Sequence, residues 1–284
     1  MASSKQAATG PHDALRDEIE ELEARLGEAR ARLGVATCDA AQAAPAPSAT
    51  SATHFLLLLA DSALPVGAFA FSSGLESYLA HTPHGAALSS FLPLSLSSVG
   101  ASTLPFVLAA HRDPAALPAL DDQLDAAAVC AVGRRASVAQ GRALLSIWER
   151  SFRPALPGRA GAQVLGRFAA QLRDAAGDDV PLVSAHLAPL FGAVCAVVGL
   201  GLRQTAYVYM LGQVKALISA AVRASVFGPY QAQRVLAGEQ VQRMIDAVVD
   251  REWNTPVEEA GQTVPVMDLW VGRHELLYSR IFNS

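Results

Sequence analysis

The chain has 284 residues, of which 51% are hydrophobic and 17% charged, against about 25% charged residues in a typical soluble domain. This composition excludes a protein that is disordered throughout, and the shortage of charge predicts that a partner covers part of the surface. A net charge of −4 excludes a general binder of phosphate backbones, so nucleic acid is not expected as a partner.

The first 53 residues are predicted to form an N-terminal extension. Residues 13–34 place apolar side chains at alternating steps of four and three, which fits either a short heptad helix or a solvated helix with a weak apolar stripe. Residues 35–53 are rich in Ala, Pro and Ser and are typical of a linker. The folded domain is therefore predicted to span residues 54–284. The N-terminus has no apolar signal-peptide core and is too acidic for a transit peptide.

Deletion of residues 1–50 is expected to leave the thermal unfolding midpoint of the rest unchanged, because the linker separates the extension from the domain. Calorimetric scans of both proteins check this. A midpoint lowered by about 2–4 °C, equivalent to about 1 kcal/mol at this size, would show instead that the extension packs on the core.

From residue 54 onward, helical periodicity dominates. Ser73-Gly-Leu-Glu76 has the pattern of a capping box and predicts a short helix through Leu79. Glycines at 199 and 201 predict a bend, and Pro229 suits a first helical turn. No stretch shows strand alternation, so the fold class is predicted to be all-α, a single large helical domain. The longer helices are predicted over 88–111, 121–152, 161–176, 185–199, 203–226 and 229–252, with a break at 153–158.

The most apolar run, Leu187 to Leu202, has 16 residues, just short of the roughly 18 that indicate a membrane span. It predicts a buried helix pair and no membrane, although a membrane-associated helical scaffold stays open as an alternative. The three cysteines stand singly, which favours a reducing compartment and a cytoplasmic location over a disulfide framework.

The sequence does not match the known catalytic and metal-binding motifs well. The glycine-rich stretch from Gly67 to Gly74 lacks the lysine of a phosphate-binding loop, and no Gly-x-Ser-x-Gly elbow occurs. In His81-Thr-Pro-His84, the proline disfavours the helix that would align both imidazoles on a metal. No catalytic, cofactor or metal residue is predicted. A small hydrolase using Ser72 or Ser73 with His81 remains an alternative.

Two segments have residues suited to other roles. Asp61 follows an apolar helix and is expected to cap backbone N–H groups in the turn after it. The last 21 residues, from Val264, combine Trp270, Tyr278 and Phe282 with two arginines, and these residue types dominate binding hot spots. This tail is predicted to dock, either on its own domain or on another protein.

Four ordered blocks resemble the UreF family of urease accessory proteins, especially its fungal and plant branch. They are FLLLLADSALPVGAFAFSSGLESYLAH over 55–81, HLAPLFGAVCAVVGLGL from 186, KALISAAVRASVFGPYQAQRVL from 215 and DLWVGRHELLYSRIFNS from 268. Bacterial members often have histidine where this chain has Phe71, so no role of that imidazole is carried over. The signature residues of the first block are Asp61, Pro65, Gly67, Ser72, Gly74 and Glu76.

The resemblance implies an all-helical, dimeric, non-catalytic protein without a tightly bound cofactor. Such proteins bridge the UreD accessory protein, also called UreH, and the UreG GTPase in the complex that loads nickel into apo-urease. They gate GTP hydrolysis and offer a passage for the ion, so nickel is handled by the assembled complex. The signature block would shape the surface near the dimer and partner contacts. The tail would become ordered on binding UreD and help to recruit UreG through Tyr278, Ser279, Arg280 and Phe282.

Overall fold

The computed structural model describes residues 21–22, 24–26, 28–29, 52–82, 86–175 and 182–283. The chain divides into two compact units, Met1–Ala49 and Thr50–Ser284. In the first unit the described residues are helical and exposed. The remainder of the predicted helix over 13–34, and the linker up to residue 51, lie outside the described residues.

The second unit confirms the predicted all-α class, since its described residues form helices and turns without a strand. Its helices are α1 (Ala52–Ala60), α2 (Leu75–His81), α3 (Leu88–Arg112), α4 (Leu117–Ala127), α5 (Ala131–Ile147), α6 (Ala162–Asp174), α7 (Leu187–Val198), α8 (Leu202–Arg223), α9 (Pro229–Ala237), α10 (Glu239–Glu252) and α11 (Val266–Arg273). The predicted bend between α7 and α8 is present, and Gly199 adopts the left-handed conformation there.

Two predicted helices are interrupted. The helix predicted over 121–152 begins earlier and breaks between α4 and α5, where the guanidinium of Arg134 folds back onto the carboxylate of Asp125 with a nitrogen–oxygen distance of 2.6 Å. Residues 128–130 contain neither glycine nor proline, so no local breaker marks this point. The helix predicted over 229–252 is divided at Gly238, whose backbone is extended and whose helix propensity is low.

The core centres on α3, which packs against α7, α8 and α10. A Cβ atom at Gly192 of α7 would collide with the carbonyl oxygen of Val107 in α3, so glycine permits this close crossing. Helices α3 and α8 are long and apolar enough to cross a membrane, but 67% and 56% of their most apolar segments are buried within the protein. They are core helices, as is the buried α7.

The periphery of this core brings the two ends of the second unit together. Helix α8 contacts α1, α2 and the 3-10 turn Ala68–Ala70, while α11 packs against α2 and α5. The signature block and the C-terminal tail, almost 200 residues apart in sequence, therefore occupy one region of the surface.

Candidate partner-binding site at the C-terminal tail

The signature block forms a turn between α1 and α2. Asp61 caps it, accepting a hydrogen bond from the backbone N–H of Ala63 at 2.9 Å, and Lys215 of α8 donates to the carbonyl of Ala60 at 2.6 Å. Gly67 and Gly74 have φ angles of 75° and 83°, a region that favours glycine. A Cβ atom at Gly74 would also lie 3.0 Å from the backbone nitrogen of Val271. Glycine there lets the tail helix α11 approach.

The predicted capping box is wrong. Helix α2 begins after Gly74, without a side-chain cap, and the bond from the N–H of Glu76 to the hydroxyl of Ser72 is long, at 3.4 Å. The carboxylate of Glu76 bonds to the tail instead of to the start of its own helix. The tail offers this carboxylate three donors, against the single N–H of a capping box.

Glu76 is the centre of a tail clamp, a name used here for Glu76, Arg223, His274 and Ala70 with the tail residues 281–283 that they hold. The Oε2 atom of Glu76 accepts from Nε2 of His274 at 2.8 Å and from the N–H of Phe282 at 3.2 Å. Its Oε1 atom accepts from the N–H of Ile281 at 2.6 Å. The N–H of Asn283 donates to the carbonyl of Ala70 at 2.7 Å. The end of the tail is thus bonded to the signature block by its backbone.

Phe282 anchors the same segment by its side chain. The ring is 4% exposed, and the guanidinium of Arg223 lies 4.3 Å from its centroid, a cation–π contact. Arg223 also donates to the carbonyl of Phe69. Burial lowers the pKa of Arg223. The end of α8 therefore pins the tail against the signature block.

The residues between the two ends of the clamp point outward. Tyr278 is fully exposed, Ile281 is 63% exposed, and Ser279 and Arg280 are exposed as well. Arg280 makes no hydrogen bond or ion pair with the part of the chain that the structure describes. The structure thus divides the four predicted tail residues, with Phe282 facing the domain and Tyr278, Ser279 and Arg280 facing solvent.

The other signature residues are also divided. Asp61 and Pro65 lie on the surface, whereas Ser72 is fully buried. The hydrolase alternative gains no support here, because Nδ1 of His81 lies 2.7 Å from the carbonyl oxygen of Ser77, one turn earlier in its own helix. His84 lies outside the described residues.

A cavity of about 430 Å³, with a mostly apolar lining, lies between α3, α5, α8 and α11. One of its hydroxyl groups, that of Tyr209, donates to Thr103 at 3.0 Å, and burial raises the pKa of Tyr209 to about 12, so the phenol stays neutral. Side chains with hydroxyl groups along its wall are Ser73, Ser95, Ser98, Ser102, Thr103, Ser137 and Tyr209, and Cys130 and His186 also line it.

A buried polar network adjoins the cavity and was not predicted from the sequence. His186, 1% exposed, lies with Nε2 2.7 Å from Oδ1 of Asp125 and Nδ1 3.0 Å from the hydroxyl of Ser137. Burial acts to raise the pKa of Asp125, but hydrogen bonds from Arg134 and His186 outweigh it and lower that pKa.

The network resembles a serine–histidine–aspartate relay in its order, but its contacts are structural. The Ser137 hydroxyl accepts the N–H of Leu187 at 3.3 Å, and Arg134 holds both oxygens of Asp125. Together they tie α4 and α5 to the start of α7. Among the described residues, no group of three or more His, Cys, Asp or Glu side chains could hold a metal ion.

Comparison with known proteins places this all-helical chain in the class of accessory proteins. Residues 83–240, more than half of the chain, match the model of the UreF protein family. An uncharacterized UreF-like urease accessory protein of Schizosaccharomyces pombe is 36% identical over 234 residues, covering 82% of this chain and 97% of the relative. Urease accessory protein F of Oryza sativa subsp. japonica is 36% identical, covering 79% and 82%, and that of Arabidopsis thaliana is 31% identical, covering 80% and 90%.

The chain belongs to the UreF family of urease accessory proteins. The resemblance to the fungal and plant members is confirmed, since the fission yeast, rice and Arabidopsis proteins all match over most of the chain.

Proposed function

We propose that this chain is a non-catalytic chaperone of urease maturation. It would bridge a UreD/UreH homologue and the UreG GTPase in the complex that delivers nickel to apo-urease, and gate GTP hydrolysis there. The observation that carries the proposal is the outward face of the tail, where an aromatic ring and a guanidinium stand exposed on a segment fixed at both ends.

The chemistry of this face suits a protein partner. Tyr278 and Arg280 are residue types that dominate interface hot spots, and Leu276 and Ile281, 77% and 63% exposed, add apolar area around them. In the isolated chain the clamp already holds this segment, whereas the resemblance implied that the tail becomes ordered only on binding UreD. A segment held in advance loses less conformational entropy when a partner docks. The UreD/UreH homologue is the proposed occupant.

Other features fit an assembly. Only 17% of the residues are charged. Because charged residues are depleted at the centre of protein interfaces, this composition is compatible with a homodimer contact and two partner interfaces. The singly placed cysteines suit the cytoplasm, where thiols stay reduced; Cys195 is buried, which raises the pKa of its thiol.

Nickel is proposed as cargo of the assembled complex. The cavity beside α3 and α5, whose mostly apolar lining includes seven residues with hydroxyl groups, supports a passage through which the ion moves without being held. Neutral oxygen atoms bind nickel weakly compared with imidazole and thiolate ligands, and both ring nitrogens of His186 on this wall are already engaged by Asp125 and Ser137.

Isolated protein is therefore expected to bind nickel weakly or not at all in titration calorimetry. A stoichiometric site with submicromolar affinity that disappears when His81 and His84 are both replaced would contradict this expectation.

Co-expression tests the bridging function. The chain should co-purify with a UreD/UreH homologue, and the mass of the complex gives its stoichiometry. Tyr278→Ala is expected to weaken this association by about tenfold or more, as truncation of a hot-spot aromatic does. Tyr230→Ala is the matched control, because Tyr230 is 91% exposed on α9, in a different element. Equal losses in both variants, or no association of the unmodified chain, would refute the proposal.

A further inference from the structure

Glu76 closes the loop that presents the proposed partner-binding face. The side chain of His274 and the N–H groups of Ile281 and Phe282 all donate to its single carboxylate. Residues 275–280, which include Tyr278 and Arg280, form the loop between these donors. One side chain on α2 thus fixes both ends of a segment almost 200 residues further along the chain.

We propose that Glu76 is a positioning residue that orders the tail for partner binding, and that it acts without contacting the partner. This inference rests on the proposed function. The inference gives Glu76, a residue of the signature block, the role of holding the tail. The family resemblance implied only that this block shapes the surface near the dimer and partner contacts.

The burial of the clamp makes its hydrogen bonds depend on one another. His274 is fully buried, and the side chain of Glu76 is 11% exposed. A carboxylate accepts such bonds more strongly than a neutral oxygen does, and loss of the carboxylate would leave the His274 Nε2–H and two backbone N–H groups without acceptors. Nδ1 of His274 has no hydrogen-bond partner among the described residues, so Glu76 is the acceptor that orients this ring.

Loop closure explains why the effect reaches Tyr278 and Arg280. With both ends fixed, residues 275–280 have few accessible conformations; with one end free, the partner has to order the segment at the cost of its conformational entropy. A purely structural role of Glu76 would instead change the stability of the domain and leave the affinity of the folded protein unaltered.

The first experiment measures the clamp in the full isolated chain. Glu76→Gln keeps the shape of the side chain and removes its charge. It is expected to accelerate amide hydrogen exchange at residues 281 and 282 by about tenfold or more, since exchange reports local opening. Glu239→Gln is the matched control, because Glu239 is exposed and pairs with Arg243 one turn away. Unchanged exchange in Glu76→Gln would overturn the proposal.

The second experiment measures affinity for the UreD/UreH homologue. Glu76→Gln is expected to raise the Kd about tenfold, and deletion of residues 282–284, which removes the buried Phe282 anchor but keeps Ile281 of the partner-binding face, should raise it at least as much. The double variant should bind like the truncated chain, because both changes open the same clamp. If the two changes lower the affinity additively, or if the tail is freed and the Kd stays the same, the proposal is overturned.

The same experiment separates this inference from the proposed function. If the unmodified chain does not bind the UreD/UreH homologue, the proposed function fails as well. If the unmodified chain binds and Glu76→Gln binds with the same Kd, this inference alone fails.

Discussion

Asp121→Ala is expected to lower the free energy of unfolding by about 3–5 kcal/mol, because each buried donor left without an acceptor costs about 1–3 kcal/mol. Asp121 is fully buried. Its Oδ2 atom accepts from the N–H groups of Ser184 and Ala185 at 2.6 and 2.9 Å, and its Oδ1 atom accepts from that of His186 at 2.6 Å. The alanine variant would leave three buried donors unpaired.

The backbone that Asp121 holds is itself strained. Ala185 has a φ of 67°, a conformation that costs a residue with a Cβ atom about 1 kcal/mol or more. A Cβ atom at Gly141 of α5 would collide with the carbonyl oxygen of Ala185, so helix and loop are in close contact. The Asp121 carboxylate therefore stabilises residues 184–186 in a conformation that is strained at Ala185.

Urea denaturation of Asp121→Ala and Asp122→Ala measures this effect. Asp122 is the control, since it is the neighbouring aspartate and its side chain is exposed. Asp121→Asn should fall between the alanine variant and the unmodified chain, because its amide keeps one acceptor oxygen. If the free energies of unfolding of Asp121→Ala and Asp122→Ala differ by less than about 1 kcal/mol, the three hydrogen bonds contribute little, because surface substitutions have small effects.

Features encoded by short-range pattern could be predicted from the sequence. The helix predicted over 88–111 is α3 within one residue, because its apolar residues recur at helical spacing. The bend at Gly199 and the start of α9 at Pro229 depend on the backbone preferences of single residues.

Features set by distant partners could not be predicted. Ser73-Gly-Leu-Glu76 matches a capping box as a string, but the three donors to Glu76 lie 198 to 206 residues away. Asp121 meets its partners 63 to 65 residues away. In each case the neighbouring sequence does not identify the donors to the carboxylate, because only the folded chain brings them within reach.

The direction in which each tail side chain points could not be predicted either. Tyr278 and Phe282 are equivalent candidates in the sequence, since both are aromatic and two residues from Arg280. Only the fold shows that Arg223 and the core receive Phe282 while Tyr278 faces solvent. Phe282 docks on the domain, as Trp270 does against Tyr78, whereas Tyr278 stays exposed.

Arg280→Ala is expected to weaken the ternary complex with UreD and UreG by about 2 kcal/mol, typical of an interface hot spot, and to leave the stability of the isolated protein unchanged. The guanidinium is exposed, so its removal breaks no contact within the domain. In a complex that covers Tyr278 and Ile281, the same guanidinium would lie among the partner's acceptors, where its planar fork can pair with carboxylates or carbonyls.

Two variants make this test specific. Arg243→Ala also removes an exposed arginine, one that pairs with Glu239 on α10, and should leave complex assembly unchanged. Phe282→Ala removes the buried ring beside Arg223, so it should loosen the tail and weaken assembly even though the ring does not face the partner. Circular dichroism and a pull-down on the same preparations separate these effects. If Arg280→Ala is destabilised while its assembly with UreD and UreG is unimpaired, residues 278–280 belong to the domain and not to an interface.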